Sequence, residues 1–186
     1  MDDGRVRVAA PGAGRPLQKV GADELRQLAT DATGDDEARV PYIPRILELL
    51  AEDAFEEPGR VVDRLVGAPE QEAIRRFLDA WWHDILTRPV GEDRAGTALD
   101  AVARLDPDVG PKLAQWAAFS HPNAAAHLLD FCRHTAVALS RGKVPEPVAS
   151  WLRSEALRTT VAAAADRART PEERAALEEL WLRWLP

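Results

Sequence analysis

The 186-residue chain has one cysteine, Cys132, one methionine and one tyrosine. A lone cysteine forms no intrachain disulfide, and without a CxxC pair the usual redox and zinc patterns are missing. Long apolar runs are missing as well. Stretches such as Val161 to Ala165 are far too short for a transmembrane helix. Serine occurs only at Ser120, Ser140, Ser150 and Ser154, and none of these sits in G-x-S-x-G. Gly12-Ala13-Gly14 is followed by Arg15-Pro16 rather than a third glycine, so it is no phosphate-binding fingerprint. Met1 is followed by two acids and no apolar core, unlike a secretory signal, and the expected compartment is the cytoplasm. A net charge of −7 and a pI near 5.2 argue against non-specific binding to nucleic acid or to an anionic membrane.

Hydrophobic residues make up 46% and charged residues 30%, the composition of a globular chain of ordinary domain size. Arg supplies 21 of the 24 basic residues and Ala occurs 33 times. Both amino acids have GC-rich codons, so the bias reads as that of a GC-rich bacterial genome. Arg selected for anion binding would cluster, whereas here it is interleaved with Asp and Glu.

Residues 1–20, with Gly4, Pro11, Gly12, Gly14 and Pro16, read as a flexible arm with a short extended piece at Val6 to Val8. Residues 21–186 read as a single all-helical domain. A weak helix spans Asp23 to Ala29, and a loop follows from Asp31 to Glu37. From Pro41 the apolar residues recur at helical spacing between Pro and Gly breaks. Ile43, Ile46, Leu47 and Leu50 share one face, as do Val61, Val62, Leu65 and Val66 ahead of Gly67. Ile74, Phe77, Leu78, Trp81, Trp82 and Ile85 form the longest stripe, stopped by Pro89. Further helices follow around Ala98 to Leu105 and Leu113 to Ser120. The next is capped by Ser120 or His121 and runs to Ser140. Another spans Pro147 to Arg167, and the last opens on the capping box Thr170-Pro171-Glu172-Glu173. The expectation is an all-α fold of eight or nine helices, a helical stack or, second, an antiparallel bundle.

The segment Pro41-Tyr42-Ile43-Pro44-Arg45-Ile46-Leu47-Glu48-Leu49-Leu50-Ala51-Glu52-Asp53 resembles the first helix of a HEAT or armadillo-like repeat: an early proline, a leucine-rich stretch, then Asp. The resemblance covers this segment only. It implies a right-handed stack of paired helices with a surface suited to partner proteins.

Four histidines are the natural place to look for chemistry. His127, Asp130 and His134 are spaced i, i+3, i+7 and project from one stripe of a helix, an arrangement able to offer Zn²⁺ or Fe²⁺ ligands. Arg133 and Arg141 fall on the same side, where their charge opposes a cation, and the apolar residues of that helix lie opposite. The histidines are therefore expected on a solvated face. His83-Asp84 matches the dipeptide of HD-domain phosphohydrolases, but that family needs an upstream histidine and none precedes His83. Cys132 falls in the apolar arc, where a thiol behaves as a small hydrophobe.

Among the six tryptophans, Trp81, Trp181 and Trp184 sit within apolar stripes and read as core. Trp82 lies at the edge of its stripe beside Arg75, and Trp116 and Trp151 are similarly placed. These four residues are the expected partner-binding set. The resulting expectation is a non-catalytic protein–protein interaction module (an adaptor, inhibitor or regulatory subunit) with no cofactor, no nucleic-acid ligand and no membrane contact. The alternative is a small helical-bundle metalloenzyme or ligand-binding protein centred on His127, Asp130 and His134.

Overall fold

A computed structural model describes residues 21–30, 37–91, 94–118, 121–166, 168 and 170–184. The arm expected over residues 1–20 and most of the loop expected at Asp31 to Glu37 lie outside them. The described residues hold ten α-helices, one 3-10 helix and no strand. The fold is all-helical, with more helices than the eight or nine that apolar periodicity suggests. The added helix comes from a break at Arg153–Ser154 inside the segment expected to run unbroken from Pro147 to Arg167. There the Ser154 hydroxyl accepts the Leu157 N–H at 3.2 Å and starts a new helix. Inside a long apolar stripe a serine looks like a tolerated surface residue. The hydroxyl-to-backbone bond makes it a start signal instead.

The chain divides into two compact units, one ending at Asp79 and one starting at Ala80, with the boundary inside the fourth helix. The N-terminal unit contains α1 (Ala22–Thr30), the 3-10 helix Glu37–Tyr42, α2 (Ile43–Ala51), α3 (Pro58–Leu65) and the start of α4 (Gln71–Thr87). Its core joins Leu25 and Leu28 of α1 to Tyr42, Ile46, Leu49 and Val61, with Phe55 packed against them. Of these, Ile46 and Val61 lie on the faces that helical spacing picks out, whereas Tyr42 and Leu49 are buried outside them. Proline at the first or second position starts α2 and α3, where a missing N–H costs nothing. Past the end of α3, Gly67 takes φ +87°, a left-handed conformation that favours glycine.

The C-terminal unit contains the rest of α4, α5 (Arg94–Leu105), α6 (Gly110–Ala118), α7 (Pro122–Ser140), α8 (Glu146–Leu152), α9 (Glu155–Asp166) and α10 (Pro171–Trp184). Helix α5 packs on α7, α6 on α8 and α9, and α10 on α9 and α7. The Thr170 hydroxyl accepts the Glu173 N–H at 3.1 Å, so the start of α10 is capped as its sequence indicates. At the start of α7, the His121 ring accepts the Asn123 N–H at 3.2 Å.

Both units satisfy helix ends by the same means. The last carbonyls of an α-helix have no partner within it, and here side-chain donors from elsewhere supply one. Buried Arg39 donates Nε–H to the Leu28 carbonyl near the end of α1, at 3.0 Å. Gln71 donates to the Leu65 carbonyl that ends α3, at 2.6 Å. Asn123 and His127, one turn apart on α7, donate to the Thr87 and Arg88 carbonyls at the end of α4, at 2.7 and 3.1 Å.

Candidate functional site

The structure reverses the expected roles of Trp82, Trp116 and Trp181. Trp82 is 0% exposed and Trp116 only 3%, so neither offers a ring to a partner. They meet edge to face with ring centroids 5.3 Å apart. Trp116 also touches Phe131 at 5.4 Å and half-buried Trp151 at 5.5 Å, and donates its Nε1–H to the Ala124 carbonyl at 2.9 Å. Trp116 is thus the centre of an aromatic cluster inside the C-terminal unit. Arg75 alone of the expected partner-binding set is exposed. Trp82 was placed at a stripe edge by the geometry of one helix. The neighbouring indole of Trp116 covers that edge, and no single-helix projection contains it.

Trp181, expected in the core, is 41% exposed, and Leu182 beside it is 78% exposed. Leu177 and Leu180 carry the buried face of α10, and an ion pair of 2.6 Å between Arg133 and Glu179 ties that helix to α7. The apolar residues of α10 therefore span both a buried side and a solvent-facing side. Trp81 is buried as expected, and the side chain of Trp184 lies outside the described residues.

His127 corrects the expectation of a solvated histidine stripe. It is 1% exposed, with Nε2 on the Arg88 carbonyl. A carbonyl only accepts, so Nε2 carries the proton, and Nδ1 is left buried without a hydrogen-bond partner. Burial lowers the pKa of the ring below its ordinary value, and the charge of Arg94 lowers it further against the opposing pull of the Arg88 carbonyl and Asp130. Both effects favour the uncharged ring. His127 goes inside because α7 packs against both α5 and α10, so it buries a wider arc than one apolar stripe. Asp130 and exposed His134 lie 3.4 Å apart as a surface pair on the same helix. The three residues expected to form a metal site thus split into a helix-sealing histidine and a separate Asp–His pair. Among the described residues no group of three or more His, Cys, Asp or Glu side chains is placed to hold a metal ion.

Cys132 is buried, and loss of solvation pushes its thiol up to about 12. A thiol held protonated is a poor nucleophile. His83 lies on an exposed surface, its ring 3.5 Å from the Gln115 amide.

One concave feature of the C-terminal unit is a cleft of about 270 Å³ between α5, α7 and the segment leading into α8. Leu99, Val109 and Phe131 form its buried floor, and Val144 and Val148 continue the apolar wall. Asp100, Thr135 and Lys143 are its polar members. Sequence reading missed this cleft because its walls come from separate helices, each of which looks unremarkable alone. No protein-family model, curated protein or solved structure matches the chain.

Proposed function

We propose that the chain is a non-catalytic protein–protein interaction module, an adaptor, inhibitor or regulatory subunit, that engages its partner through the outward side of α10. The observation that carries this reading is the adjacent pair Trp181 and Leu182, left exposed on a helix that already buries Leu177 and Leu180. A large apolar residue gains little from contact with water. Tryptophan is also among the residue types that most often dominate protein interfaces. The short helices that pack two along the chain, α5 on α7 and α6 on α8, support a HEAT-like stack of paired helices as the finer architecture.

The test is affinity capture from the native host, comparing the wild-type chain with Trp181→Ala, Leu182→Asp and Arg75→Ala. The reading expects a specific partner that is lost with the two α10 variants and retained with Arg75→Ala, all three remaining folded at the temperature of the experiment. Retention by both α10 variants overturns it, and loss with Arg75→Ala alone moves the surface to α4.

A further inference from the structure

We propose that the cleft between α5, α7 and the segment Lys143–Val148 is a binding site for a small amphipathic carboxylate, with its apolar body on the floor and its anion at Lys143. None of the lining residues belongs to α10, so the site is separate from the surface assigned to a protein partner. Three observations carry the proposal.

The first is size and polarity. An apolar cavity of about 150 Å³ accommodates benzene, and this cleft offers about 270 Å³ with mostly apolar walls. It is smaller than most drug-sized sites, which selects a compact ligand.

The second is charge. Asp100 accepts the Nε–H of Arg104 at 3.1 Å in an exposed i, i+4 ion pair, so its charge is partly offset within α5. Thr135 donates its hydroxyl proton to the Phe131 carbonyl at 2.5 Å, leaving its oxygen as an acceptor. Lys143 lies exposed at the rim of the cleft. Lys143 is therefore the cationic group of the lining, complementary to a carboxylate.

The third is rigidity. Pro145 and Pro147 flank the start of α8, and their fixed φ angles hold the rim in place before a ligand arrives.

Phe131 joins the cleft to the aromatic cluster, because its ring lies against Trp116. Occupancy of the cleft is expected to alter tryptophan emission, which gives an intrinsic signal. The experiment titrates the full chain with octanoate, octanol and octylammonium, following emission and the heat of binding. The proposal expects saturable 1:1 binding with octanoate about two- to fivefold tighter than the other two, the size of an exposed ion pair. It expects that preference to vanish in Lys143→Gln. It also expects octanoate affinity to fall at least about tenfold in Val144→Asp and in Ala103→Leu, which respectively place a like charge in the cleft and fill it. Ala103→Leu keeps helix-forming character, so it stands if Val144→Asp fails to fold. Absence of saturable binding, equal affinity for octanol, or unchanged affinity in Ala103→Leu overturns the proposal.

Discussion

His127 donates its Nε2–H to the main-chain carbonyl of Arg88, 3.1 Å away, and so closes the end of α4 with a residue from α7. Asn123, one turn earlier on α7, does the same for the carbonyl of Thr87 at 2.7 Å. His127, one of the three residues weighed as metal ligands, is a structural donor.

Replacing His127 by Ala removes the donor from the part-buried Arg88 carbonyl and opens space in the interior. The expected loss is about 1–3 kcal/mol of unfolding free energy, the cost of stranding a buried polar group. Urea denaturation measures it. His127→Gln, which retains an N–H donor, is expected to recover part of the loss, whereas equal losses in the two variants would show that the hydrogen bond contributes nothing.

The same ring sets a pH dependence. Its pKa is depressed in the folded chain relative to the ordinary histidine value near 6.5. Below that value the unfolded chain binds a proton that the folded chain resists, so folding stability falls as pH drops. The stability is fully present above about pH 6.5 and is lost progressively as pH falls from there toward the folded pKa. Melting temperatures measured at steps between pH 7.5 and 5 are expected to decline more steeply in wild type than in His127→Gln. Parallel curves would contradict the assignment.

Trp116 and Trp181 are expected to differ widely in the cost of truncation. Trp116→Ala removes a ring that touches three others and a hydrogen bond to Ala124, and is expected to cost about 3–5 kcal/mol. Trp181→Ala removes a ring that is 41% exposed, and a stability change within about 1 kcal/mol is expected. Denaturant midpoints of the two variants compare them directly, and a larger loss at Trp181 would place that ring in the core.

Cys132 is expected to resist alkylation in the native chain at neutral pH, since its thiol is buried and pushed up to about 12. Iodoacetamide labelling followed by mass spectrometry should show modification only when urea unfolds the chain. Rapid labelling under native conditions would show that the C-terminal unit opens far more readily than its packing indicates.

Removal of the α10 cap in Thr170→Ala is expected to cost about 1 kcal/mol, because the Glu173 N–H loses its acceptor. Thermal unfolding followed by circular dichroism is the measurement, and an unchanged midpoint would mean the start of α10 contributes nothing to cooperative unfolding.

Local rules of sequence determined the helical class and most of the buried faces. Apolar residues three and four apart leave a chain few ways to hide them except as amphipathic helices, so Ile46, Leu65, Ile74, Leu113 and Leu177 are all buried where their spacing puts them. The capping residues at Thr170 and past the end of α3 were equally legible, because a cap acts within one turn. Tertiary packing decided the rest. Whether Trp82, Trp181 or His127 meets water depends on which second helix lies against the first, and a single-helix projection contains no second helix. The ends of α1 and α4 are sealed by residues far along the chain, and the cleft takes its walls from separate helices. Both arise from groups brought together only by folding, which is why neither is visible in the order of the amino acids.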